Sequence, residues 1–149
     1  MAETLGSLCD KLTIVKLKQW HLSDDAERMQ SLAEQERNLQ QEIDEFVALA
    51  VAGGIPQDRL MFAANKIYKR EGNVPDPVTG TLGAVVAELA TVNCDLWHEQ
   101  EKVYDFEKVG PDDKNNVVRQ LARLNLRRNE CIDSIDRTFR DAVAKNGGR

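Results

Sequence analysis

Apolar residues recur three and four positions apart over most of this chain, which is the spacing of one helical face. The longest such ladder lies between positions 115 and 144, where Val118, Leu121, Ile132, Ile135, Phe139 and Ala142 predict a single long helix. Two rungs carry the wrong residue type, because Asn125 and Arg128 stand where the pattern asks for Leu or Ile. At about 100° per residue, Arg128 points into the middle of the apolar face, and Asn125, Asn129 and Asp136 run along one edge of it. A guanidinium in that position is costly to bury unless a carboxylate answers it. Asp10 and Asp136 are the candidate partners.

The earlier ladders predict four more helices. The first starts near Thr4 or Ser7, with Ser7-x-x-Asp10 as a capping-box-like opening, and runs to His21. Leu5, Leu8, Cys9, Leu12, Val15 and Trp20 share one of its faces; Ile14 and Leu17 lie on the other, flanked by Asp10 and His21. A helix apolar on two sides is sandwiched between neighbours or used for dimerisation. The second helix starts at Ser23 or Asp24, where Asp24-x-x-Glu27 reads as a capping box, and carries Met29, Leu32, Leu39, Ile43, Phe46 and Ala50. Gly53 and Gly54 end it, and Pro56 prevents its resumption. A shorter helix from Gln57 to Arg70 follows, then the segment GNVPDPVTG, whose composition makes it a loop and, by preference, a crossover connection rather than a lid. The fourth helix spans Thr81 to Phe106, with Leu82, Val85, Leu89, Val92, Leu96, Val103 and Phe106 inward, Asn93 and Gln100 inside the same arc, and Trp97 and Tyr104 on its shoulder.

The connection to the last helix is short, and Pro111 suits a helical first turn, so these two helices are expected to be antiparallel neighbours. A turn centred near Gly110 brings Asn93, Asn125 and Arg128 into one layer, with Gln100 and Asn129 within about a turn. The expected architecture is a single all-α domain over residues 1–149, a bundle of four long helices and one short one.

Composition narrows the class of function. A chain that is 42% hydrophobic and 30% charged is globular rather than disordered, and its net charge of −5 argues against broad binding to a phosphate backbone. No apolar run approaches the ~20 residues that a membrane helix needs, and the acidic start lacks a signal-peptide core. Cys9, Cys94 and Cys131 are far apart and form no C-x-x-C pair, which fits reduced thiols and a cytoplasmic location.

The polar layer admits two readings. It can be a hydrogen-bond network that fixes helix register, or a pocket whose Asn, Gln and Arg donors hold a small polar or anionic ligand between helices. Asp95, His98 and Glu101 have a spacing that can ligate metal, yet they point away from the apolar arc and read better as a solvated face. Glu42-x-x-Glu45 and Asp133-x-x-Asp136 resemble the paired-carboxylate helices of all-α nucleotide pyrophosphohydrolases, which hold Mg²⁺. No Gly-rich phosphate loop, nucleophile elbow or zinc motif occurs.

Three stretches, at 4–21, 88–105 and 117–136, resemble a bacterial domain-of-unknown-function family, number 4254. Its marks are a D-[KR]-L-[ST]-I helix, an N-x-x-L-W-H helix and an L-N-x-x-R-N-x-x-I-x-x-[IL]-D helix, which fall here on Asp10, Lys11, His21, Asn93, Trp97, His98, Asn125, Arg128, Asn129 and Asp136. In that family an acidic pair follows the Trp-His; here Gln100 and Glu101 stand in those places, and Tyr104 replaces a later Arg. The resemblance implies an all-helical fold and an association with surface-glycan biosynthesis, with no established activity. The candidate ligand-binding set is therefore Asp10, His21, Asn93, Trp97, Gln100, Asn125, Arg128, Asn129 and Asp136. The expected function is a cytoplasmic homodimer that binds a small polar or anionic ligand or a protein partner. The alternatives are a metal-dependent nucleotide or nucleotide-sugar hydrolase, the only reading that calls for Mg²⁺, and a purely structural scaffold.

Overall fold

Four ladders became α-helices for identifiable local reasons. In the computed structural model, which describes residues 3–62, 78 and 80–147, they are α1 (Leu5–His21), α2 (Ala26–Val51), α3 (Leu82–Tyr104) and α4 (Pro111–Gly147). The described residues contain no strand, so the all-helical expectation holds for them. Where a helix was expected from Gln57, a single 3₁₀ turn (Gln57–Arg59) is found, and Met61 and Phe62 are not helical. The rest of that expected helix, and all of GNVPDPVTG except Val78 and Gly80, lie outside the described residues.

One cap is a residue the sequence offers and the other lies one residue from its expected place. Of the two expected starts Thr4 opens α1, with Ser7 rather than Asp10 completing the capping box: Thr4 Oγ1 accepts from the Ser7 N–H at 3.2 Å, and the Ser7 hydroxyl accepts from the Thr4 N–H at 2.8 Å. Asp25, not Asp24, caps α2 by accepting from the Arg28 N–H at 3.0 Å. At the end of α2 the Gly53 N–H bonds to the Ala50 carbonyl and the Gly54 N–H to the Leu49 carbonyl, with Gly53 at φ 81°. That is a Schellman ending, and it needs a residue without a Cβ at Gly53.

α1 lies between its neighbours. On one side Lys16 and Gln19 both bond to Glu36 of α2, at 3.0 and 2.8 Å; on the other, α1 meets α3 and α4 through Asp10. The core that closes around it is built from Leu5, Ala50, Leu60, Val78, Val85, Leu89, Val92, Leu124, Cys131, Ile135 and Phe139. Phe46 of α2 packs on Phe139 of α4 with ring centroids 6.1 Å apart. Trp20 departs from its expected inward face and is 82% exposed. It lies in the last turn of α1, where Gln19 and His21 rather than Trp20 meet α2 and α3.

On α4 the expected face is rotated in its first half. Val117 and Leu124 are buried, whereas Val118 is 58% exposed and Asn125 is exposed as well. Leu121, Arg128 and Ile135 mark the centre of the face in either phasing, and the neighbour that packs alongside chooses the flank. α3 covers the Leu124–Cys131 flank, fastened by the Arg127 guanidinium on Glu88, with Nε 2.8 Å from Oε1. α1 meets α4 at Arg128 through Asp10 and, further along, at Ile132 and Asp136 through Gly6.

That last contact depends on Gly6. A Cβ there would lie 2.5 Å from the Ile132 carbonyl oxygen and 2.9 Å from an Asp136 carboxylate oxygen. Gly6→Ala is therefore expected to push α1 off α4 and to cost about 1–3 kcal/mol, the usual penalty for overpacking, despite the better helix propensity of Ala. Urea titration of the two proteins checks it, and a stabilised variant would contradict the close approach.

Candidate functional site

Three helices contribute polar side chains to the centre of the bundle. α1 contributes Asp10, one turn past Gly6; α3 contributes Asn93, one residue after the buried Val92; α4 contributes Arg128 from the middle of its apolar face. Arg128 grips the Asp10 carboxylate with two bonds, Nε to Oδ1 at 2.9 Å and Nη2 to Oδ2 at 2.6 Å. Asn93 Nδ2 donates to the same Oδ1 at 2.9 Å and to Thr13 Oγ1 at 2.7 Å. Thr13 in turn donates to the Asp10 carbonyl at 2.8 Å. Bidentate, charge-assisted pairing of this kind fixes both partners in one geometry. Asp10 and Asn93 are each 4% exposed, so the layer is closed core; the Arg128 side chain is 33% exposed and alone carries the charge of the network to the surface. Its Nη1 makes no hydrogen bond to another described residue.

Asp136 is buried but belongs to a different contact. It does not neutralise Arg128; its Oδ1 accepts the Gly6 N–H at 2.7 Å, and the Thr4 hydroxyl bonds to it as well. Burial, helped by Asp133, pushes its pKa up to about 6 against the pull of those two hydrogen bonds. His21 and Trp97 meet further along α1 and α3, stacked with centroids 4.6 Å apart and planes at 9°, while His98 approaches edge-on at 5.9 Å. Trp97 Nε1 donates to Glu101 at 2.7 Å.

The expected layer was thus partly assembled. Asp10, Asn93 and Arg128 come together, and His21 pairs with Trp97. Gln100 and Asn125 are exposed and stand outside the layer, and Asn129 is half-buried without a side-chain hydrogen bond to another described residue. For Asn125 the cause is the rotated flank of α4: the core takes Leu124 instead. Gln100 lies two turns beyond Asn93, about 10 Å along α3 from the residue that reaches Asp10. Thr13 was missed, although it lies three residues after Asp10 on the same helical face.

Metal chemistry gains no geometric support. Asp95, His98 and Glu101 are exposed, with His98 Nδ1 4.0 Å from Glu101. Glu42 and Glu45 lie on the solvent side of α2 while Asp136 faces Gly6, and among the described residues no three His, Cys, Asp or Glu side chains converge as ligands would. The three thiols are unpaired, and burial pushes that of Cys131 up to about 11. No helix among the described residues is long and apolar enough to cross a membrane.

Comparison with family models, with curated proteins and with solved structures gives no match in any of the three. The resemblance to the surface-glycan-associated family rests on the three motifs alone.

Proposed function

We propose that this protein is a binding module whose ligand, small and anionic, is received at the surface by Arg128. The observation that carries the reading is the division of labour within one guanidinium. Its Nε and Nη2 are committed to Asp10, and that grip holds the remaining Nη1 donors in place at a partly exposed position. A cation fixed before the ligand arrives loses little rotamer freedom on binding, which is what makes a receptor for carboxylate or phosphate. Asn129 on the next position and Asn125 one turn earlier offer amides along the same edge of α4. In this reading α3 and α4 act as an antiparallel hairpin, supported by their short connection and by the Arg127–Glu88 pair. The protein works as a cytoplasmic homodimer with the outer face of α1 as its contact, and surface-glycan assembly is the setting that the family resemblance implies.

Thermal-shift titration with inorganic phosphate, nucleotides and nucleotide sugars tests it. A probe at about 100 times its dissociation constant adds ~2.7 kcal/mol, a rise of a few degrees for a chain of this size. The rise is expected without added metal, and it is expected to vanish in the Asp10→Asn/Arg128→Met double variant, which removes both charges together. A rise that requires Mg²⁺ would favour the hydrolase alternative. No rise with any probe would leave the scaffold.

A further inference from the structure

A groove of about 310 Å³ runs along the outer side of α1, between it and α2. Ile14, Val15 and Leu39 form its apolar floor, Lys11 and Lys18 line it from α1, and Glu42 lines it from α2. The two helices are antiparallel, joined by the short connection after His21 and tied by Lys16 and Gln19 to Glu36. Lys11 therefore lies level with Glu42, and Lys18 stands at the other end, two turns or ~10 Å away along α1. Lys11 is already engaged by Glu3. Lys18 and Glu42 have no ion-pair partner among the described residues, so the groove carries one uncommitted charge of each sign at opposite ends.

That arrangement is self-complementary. A twofold axis through the middle of the floor exchanges the ends of the groove, laying Lys18 of one copy beside Glu42 of the other, twice, while the apolar floors face each other. We infer that the occupant of this groove is a second copy of the same chain, held by an isologous contact in which Lys18 and Glu42 set the register. The inference rests on the homodimer reading above and specifies its surface. A small anion fits the groove less well, because Glu42 repels it at the end where Lys11 is already neutralised.

Sedimentation equilibrium of the wild type, Lys18→Glu, Glu42→Lys and the double variant decides it, with circular dichroism confirming that all four are folded. Both side chains are exposed, so the fold is expected to survive each change. The wild type is expected to be a dimer, each single variant to weaken the dimer about tenfold or more by setting like charges together, and the double variant to restore it. A monomeric wild type at ~100 µM, weaker than stable interfaces allow, would overturn both this inference and the homodimer reading. A dimeric wild type whose affinity ignores the single changes, or is not recovered in the double, would overturn this surface alone.

Discussion

Arg128→Met is expected to lower the folding stability by about 3–5 kcal/mol, the cost of leaving one member of a buried ion pair without its partner. The reason lies on α1. Asp10 is 4% exposed and receives two bonds from Arg128, so the variant leaves its carboxylate in the core with Asn93 as the one remaining side-chain donor. Domains of this kind are stable by only about 5–15 kcal/mol, so the loss is large enough to be read as an early urea transition. Asp10→Asn/Arg128→Met should regain most of it, because an amide at position 10 can still accept from Asn93 and no charge is left unanswered. A single variant as stable as the wild type would mean that solvent, not Arg128, neutralises Asp10.

The pH dependence of stability is expected to carry a comparable signature from Asp136. In the folded protein its pKa is raised from 3.8 to about 6, chiefly by burial. Between those values the folded chain keeps a proton that the unfolded chain has released, so stability falls as pH rises from about 4 to about 6 and is level above and below. The span of roughly two pK units corresponds to roughly 3 kcal/mol at 1.36 kcal/mol per unit. Glu3 and Glu36 oppose the trend, since hydrogen bonds from Lys11 and Gln19 hold their pKa values below the ordinary one. The Asp136→Asn variant isolates the effect, because those groups contribute equally to both proteins. The stability difference between variant and wild type should move by roughly 3 kcal/mol in favour of the variant from pH 4 to pH 7. A constant difference across that range would show that Asp136 titrates normally and that its contact with Gly6 is open to water.

The positions of the helices and the demand made by Arg128 were legible in the sequence; the partners around the helices were not. Period alone places Arg128 at the centre of its face and calls for a carboxylate, which Asp10 or Asp136 can supply. Choosing between Asp10 and Asp136 required knowing that α1 meets α4 twice, once at each carboxylate. Val117 and Leu124 could not be told from Val118 and Asn125 by ladder spacing, since two columns 100° apart share the same three-four rhythm, and the covering helix decides between them. Gly6 gives no signal in a hydrophobic pattern; its role comes from a backbone oxygen 126 residues away. The sequence leaves Thr4 and Ser7 open for α1, and the α2 cap slips by one residue, because Thr4, Ser7, Asp24 and Asp25 are all competent caps.

The separations at which α1 is fastened bear on the order of assembly. The contacts within α1–α2 and α3–α4 are local, whereas Asp10–Arg128 and Gly6–Asp136 close segments of 118 and 130 residues. Loop-closure entropy makes such contacts late. Of the four helices, the one made earliest is thus the last to be locked, and its Leu5 side wall stays open until α4 has been made. A chain stopped before Arg128 would keep its first hairpin with neither of the two clasps that hold it to the rest, and quality-control machinery that reads exposed apolar surface would find it there.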